Sequence, residues 1–140
     1  MPQSNSAPPI HILIVDDDAD DHYFLRRAIN KQVPNALIES LYDGAEALLY
    51  LEKNQSLPHL VILDLNMARI SGQNTIKLIR ANPALEKVPV VIFTTSRNED
   101  ERTKMLGLGA QDFFTKPADQ EGLNDFVKKV KTRWLNFKAG

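Results

Sequence analysis

Short apolar runs recur along this chain, and a stretch with helical spacing follows each of them. The clearest runs are IHILIV at 10–15, LVIL at 60–63 and VVIF at 90–93, and extended segments at 36–40 and 111–114 complete the set. A run of four to six residues without polar alternation suits a strand covered on both faces, which is the condition of a parallel sheet. Between the runs, Phe24, Leu25, Ala28 and Ile29 predict a helix over 20–30, and Ala47, Leu48 and Leu51 predict one over 44–52. Ile76 and Ile79 place a third over Gly72–Ala81, stopped by Asn82-Pro83. A short helix over 99–106 ends at Gly107, and Leu123, Phe126, Val127, Val130 and Trp134 carry the last over 120–136. The order βαβαβαβαβα implies right-handed crossovers and a parallel sheet with helices on both faces.

A chain of 140 residues can bury one sizeable core and is too short for two ordinary domains. The absence of cysteine excludes a disulfide scaffold, a thiolate metal site and a cysteine nucleophile. A formal net charge of -1 argues against a dedicated nucleic-acid binder, which needs a basic face. No apolar run approaches the roughly 18 residues that span a bilayer. Residues 1–9 hold three of the eight prolines, lack a secretory signal and are expected to form a disordered leader. A cytoplasmic location is therefore expected. Lys128, Lys129, Lys131 and Arg133 read as a solvated basic face near a helix C-terminus. His11, His22 and His59 are scattered, and no glycine-rich nucleotide loop is present.

Ligands of an open parallel sheet sit beyond the carboxyl ends of its strands. The residues delivered there are Asp16, Asp17 and Asp18 after the first run, Asp64 and then Asn66 after the third, Thr94 after the fourth, and Lys116-Pro117 after the fifth. Each alone is ordinary: an acidic run caps a helix, a threonine turns a loop, a lysine is solvated. Together, carboxylates at neighbouring strand ends share one crevice, where their repulsion raises a carboxylate pKa or unfolds the loop. A hard divalent cation such as Mg²⁺ resolves the conflict, and the Lys116 ammonium offsets the rest. Such a set suits phosphoryl transfer onto a carboxylate, with Asp64 as nucleophile and Thr94 as hydroxyl donor.

From Ile10 to about Trp134 the chain resembles the receiver domains of two-component response regulators. The matching blocks are ILIVDD, LVILDLNM, VPVVIFTTS and GAQDFFTKP, with 30 residues from Asp64 to Thr94 and 52 from Asp64 to Lys116. The resemblance implies a flavodoxin-like α/β fold with five parallel strands in the order 2-1-3-4-5, running over 10–137 with a tail at 138–140. Asp64 would accept a phosphoryl group from a histidine kinase or a histidine phosphotransfer protein. Mg²⁺ would be held by Asp17, by Asp16, often through water, by Asp64, and by the backbone carbonyl of Asn66. Thr94 and Lys116 would bind the phosphoryl oxygen, Lys116-Pro117 would be a cis peptide, and Phe113 would be the switch aromatic or a plain core residue.

Within the family the chain is similar to small stand-alone receivers that serve cyanobacterial phytochromes, on ILIVDDDADD, RRAI, Asn82-Pro83, TTSRNED and the aromatic close at Trp134 and Phe137. That likeness implies a sensor kinase, phytochrome-like, as partner, and homodimers through helix 4, strand 5 and helix 5. No membrane or nucleic-acid partner is implied. Because no output domain follows Gly140, output is expected through protein binding or onward phosphoryl transfer. Thr95 departs from the smaller residue common in receivers, and the loop at 43–58 is slightly long. Two other classes stay open. One is a receiver fold that binds partners without phosphorylation. The other is an aspartate-nucleophile phosphatase, which needs an acid where Asn66 stands. The chain is otherwise not expected to be an enzyme, beyond Mg²⁺-dependent self-phosphorylation and slow autodephosphorylation.

Overall fold

The computed structural model describes residues 9–53, 56–67 and 69–135. The expectations for residues 1–8, 136–137 and 138–140 lie outside that range. Five strands form one sheet: β1 (Ile10–Val15), β2 (Ala36–Leu41), β3 (Leu60–Leu63), β4 (Val90–Thr94) and β5 (Asp112–Thr115). All pair in parallel, in the order β2-β1-β3-β4-β5. The helices are α1 (Ala19–Gln32), α2 (Gly44–Lys53), α3 (Gly72–Ala81), α4 (Glu99–Gly107) and α5 (Gln120–Val130). This is the α/β architecture expected. No described helix is long and apolar enough to cross a membrane.

The apolar strands divide their side chains between two layers with the period of two that a pleat imposes. Leu13, Val15, Val61, Leu63, Val90 and Ile92 pack with Ala47, Leu51, Ile76, Ile79 and Met105 of α2, α3 and α4. Ile12, Ile14, Leu60, Ile62, Val91 and Phe93 pack with Leu25, Ala28, Ile29, Phe126, Val127 and Val130 of α1 and α5. Burying the central strands on both faces is what makes their sequences read as unbroken apolar runs.

Local chemistry sets the element ends. Asp18, Ser71, Asn98 and Asp119 are N-caps whose side chains accept hydrogen bonds from the first turns of α1, α3, α4 and α5. The Asp43 side chain accepts from the Glu46 amide while Glu46 accepts from the Tyr42 amide, one residue before the cap, a reciprocal pair that closes the start of α2. Gly109 has φ +110, a conformation that disfavours any side chain, and Arg80 packs against it. The Arg80 guanidinium donates to the carbonyls of Leu85, Val88 and Gly109 and so ties the end of α3 to the segment before β4 and to the α4–β5 turn.

Three expectations change. Phe24 is half exposed, and His22 takes its place among the buried residues of α1 with Leu25, Ala28 and Ile29. The reason is angular: at 100° per residue, positions 22, 25 and 29 centre on one stripe and position 24 falls on its flank. The last helix is α-helical only to Val130, and Lys131–Leu135 continues as a π turn. No described peptide bond is cis, so the Lys116-Pro117 bond is trans. The trans form is the lower in energy even before proline, and the Lys116 amide already anchors the loop by donating to the Thr94 carbonyl at 2.6 Å.

Candidate functional site

The sheet order reverses between β1 and β3, and a crevice opens at their carboxyl ends. Val15 of β1 pairs with Leu63 of β3, so the next residues, Asp16 and Asp64, emerge side by side. The Asp64 amide donates to the Val15 carbonyl at 2.9 Å and holds this register. On the other side, Thr94 of β4 pairs with Thr115 of β5, which sets Lys116 one residue beyond. Sheet register alone therefore brings Asp16, Asp64, Thr94 and Lys116 to one end of the molecule.

Asp16, Asp17 and Asp64 each offer a carboxylate oxygen, and these oxygens lie within 4.8 Å of one another. Asp16 and Asp64 are buried and Asp17 is exposed. The Lys116 ammonium enters between them, 2.8 Å from Asp16 Oδ2 and 3.7 Å from Asp64 Oδ2. It also meets Asp21 Oδ2 at 2.6 Å. Asp16 Oδ1 is occupied by the Asp18 amide at 2.9 Å, and Asp64 Oδ1 by the Leu65 amide at 2.8 Å.

Burial raises the pKa of Asp16 against the hydrogen bonds from Lys116 and Asp18. Burial, with the like charge of Asp16, pushes Asp64 up to about 6, although Lys116 and the amides of Leu65 and Asn66 pull the other way. Burial disfavours the charged form of Lys116, but its bonds to Asp16 and Asp21 outweigh this and its pKa rises. Three carboxylates, those of Asp16, Asp21 and Asp64, thus share one ammonium, and with Asp17 beside them the surplus negative charge is the driving force for binding a cation. The donors are hard oxygens, two of them on buried carboxylates. That chemistry fits Mg²⁺ or Mn²⁺ and does not fit a metal that prefers sulfur or nitrogen.

The remaining predicted residues take distinct places. Asn66 is exposed in the loop between β3 and α3. Thr94 is fully buried at the end of β4, on the face shared by Val90 and Ile92, and its hydroxyl oxygen accepts from the Ser96 amide at 3.4 Å. Phe113 is buried in the layer beneath α4, level with Ile92. Pro117 follows Lys116 in the loop to α5. The loop after Asp64 depends on Gly72: a Cβ there would lie 2.7 Å from the Leu65 Cα and would also meet the Asp64 carbonyl. Arg69 of the same loop donates to Asp43 Oδ2 at 2.8 Å and clasps it to the start of α2.

Two residues at the site escape a motif-based reading. Asp21 lies on the stripe of α1 that carries Leu25 and Ala28, four and seven residues on, and that spacing is the signal for it. His22 is buried, with Nε2 at 2.8 Å from the Asp16 carbonyl and 3.0 Å from the Leu41 carbonyl. Carbonyls only accept, so Nε2 carries the hydrogen and ties the end of β2 to the end of β1. Its Nδ1 has no partner among the described residues.

The model of the response regulator receiver domain family matches residues 12–128. The chain is 30% identical to response regulator Rcp1 of Synechocystis over 135 residues, 93% of this chain and 92% of that protein. It is 31% identical over 133 residues to a probable methanogenesis regulatory protein, FilR2, of Methanothrix harundinacea, 92% of this chain and 86% of that one. The crystal structure of the phosphorylated cyanobacterial phytochrome response regulator RcpA superposes with a TM-score of 0.86 at 29% identity, covering 94% of this chain and 98% of RcpA. Response regulator Rcp1 in its Mn²⁺-bound form superposes with a TM-score of 0.83 at 28% identity, again covering 94% and 98%.

Proposed function

Because the chain belongs to the response regulator receiver family, we propose that it is a phosphorylation switch with Asp64 as its phosphoacceptor. The observation that carries this reading is the convergence of Asp16, Asp17, Asp64 and Lys116 in one crevice. A carboxylate oxygen of Asp64 attacks the phosphorus of a phosphohistidine on a sensor kinase or phosphotransfer protein. The new P–O bond forms as the P–N bond breaks, and the imidazole departs with that electron pair. Asp16, Asp17, Asp64 and the Asn66 carbonyl would hold Mg²⁺, which when bound would neutralise charge on the transferring phosphoryl oxygens. Lys116 pairs with a phosphoryl oxygen, and the Thr94 hydroxyl donates to another once it is drawn toward the crevice.

The phosphoryl group brings roughly -1.5 to -2 charge. The loop after β4 follows Thr94 toward it, and the Phe113 ring beneath α4 repacks into the space left. The result is a population shift of α4, β5 and α5, the face through which we read the output. The likeness to a phytochrome response regulator, RcpA, supports a phytochrome-like sensor kinase as the partner, and homodimerisation on that face and a cytoplasmic location complete the reading. Turnover is confined to Mg²⁺-dependent self-phosphorylation and slow autodephosphorylation.

The test is incubation with Mg²⁺ and acetyl phosphate, followed by intact-protein mass. One phosphoryl group is expected, and none in Asp64→Asn or after chelation. No gain at forcing donor concentration would show a binding module that works without phosphorylation. Steady hydrolysis of phosphomonoesters would show a phosphatase.

A further inference from the structure

An ammonium has three hydrogens to donate, and in this structure Lys116 commits two of them away from the phosphoacceptor. Its Nζ lies 2.8 Å from Asp16 Oδ2 and 2.6 Å from Asp21 Oδ2, both hydrogen bonds. Asp64 Oδ2 stands 3.7 Å off, within ion-pair range but beyond a hydrogen bond. Asp16 belongs to the acidic crevice itself. Asp21 does not: it sits in the first turn of α1, its carboxylate partly exposed, and it reaches the ammonium from that helix. Of the two hydrogen-bonded anchors, it is the one that carries no share of the carboxylate-oxygen cluster.

We infer that Asp21 is a positioning residue that holds the Lys116 ammonium beside Asp64 rather than on it. The inference rests on the proposed phosphoacceptor site and adds a member to it. With Asp21 in place, Asp64 Oδ2 is left without a hydrogen-bonded cation and stays available to a metal ion and to phosphorus. When a divalent cation takes Asp16, Asp21 is the anchor that keeps the ammonium in the pocket. Without Asp21, the freed hydrogen closes the gap to Asp64, and the ammonium then competes with the metal for the same oxygen.

The test is Mg²⁺ titration by calorimetry of the full chain, the Asp21→Asn and Asp21→Glu variants, and the same Asn change in a Lys116→Met background. Circular dichroism confirms that each is folded. Asp21→Asn is expected to weaken Mg²⁺ binding about fivefold, within the range of coupling between groups in one charge network. Asp21→Glu should restore binding to within about twofold of the parent, because the carboxylate returns. In the Lys116→Met background the Asn change should do little, since no ammonium is left to misplace. An equal loss in both backgrounds would mean that Asp21 acts by its charge alone and would overturn the inference, as would unchanged binding in Asp21→Asn. Failure of the parent chain to bind Mg²⁺ or to gain a phosphoryl group would instead overturn the phosphoacceptor reading. The two failures are therefore distinct.

Discussion

In metal-free solution the Asp64 carboxylate should cost this fold stability, and replacing it with asparagine should return it. Burial, with the neighbouring Asp16 charge, lifts its pKa from 3.8 to about 6. The folded state therefore holds the proton more tightly than the unfolded chain does. Its favourable contribution is complete below the unfolded value and is lost as pH rises through 6. A displacement of about two pH units, at 1.36 kcal/mol each, makes the ionised form costly by on the order of 3 kcal/mol above that range. Asparagine keeps the shape and never ionises, but forfeits the attraction of Lys116 at 3.7 Å. The net expectation for Asp64→Asn with chelator at pH 7.5 is a gain of roughly 2 kcal/mol. For a chain of this length that raises Tm by about 6–10 °C. Urea denaturation at pH 4, 5, 6 and 7.5 measures it: the gain should appear between pH 4 and 6 and be near zero at pH 4. Saturating Mg²⁺ should narrow the gap, because a metal that binds only the folded parent chain stabilises it by mass action. A difference that does not vary with pH, or an asparagine variant less stable at pH 7.5, would refute the assignment of Asp64 as a buried carboxylate whose ionised form the fold disfavours.

Gly72→Ala should destabilise by about 2 kcal/mol or more and weaken Mg²⁺ binding, because the added carbon displaces the Leu65 backbone beside Asp64; denaturation and calorimetry on one sample check both. Arg80→Ala should cost about 2–3 kcal/mol in urea denaturation while leaving Mg²⁺ binding unchanged, since its carbonyl partners lie around β4 and the α4–β5 turn. Thr94→Val keeps the buried volume and removes the hydroxyl. Acetyl phosphate should still phosphorylate it, but a reporter of α4–β5–α5 repacking, such as amide chemical shifts, should move less than in the parent chain.

The central strands were legible because burial on both faces leaves no polar position to disguise them, as in LVIL at β3, where each residue is buried. The site residues were legible as a set because each stands at the carboxyl end of such a strand. Thr94, which follows the apolar run VVIF, closes β4 itself and pairs with Thr115. Phe24 reads as core on hydrophobicity although its angle places it on the flank, and His22 carries no such signal because a histidine does not announce which carbonyls it will bridge. The proline after Lys116 carries no local mark of its isomer, and the trans bond observed had to come from the fold.

Local periodicity and strand-end chemistry, both present in the linear order of residues, determined that this chain forms a doubly covered parallel sheet with acids, a hydroxyl and a lysine at one end. Only the tertiary structure decided which acid holds the lysine. Asp16 and Asp21 meet Lys116 across 100 and 95 residues of chain, and about 1 Å separates these hydrogen bonds from the looser pairing with Asp64. Spacing in sequence cannot resolve such a difference, because it is set by the packing of α1 and β5 against the same sheet.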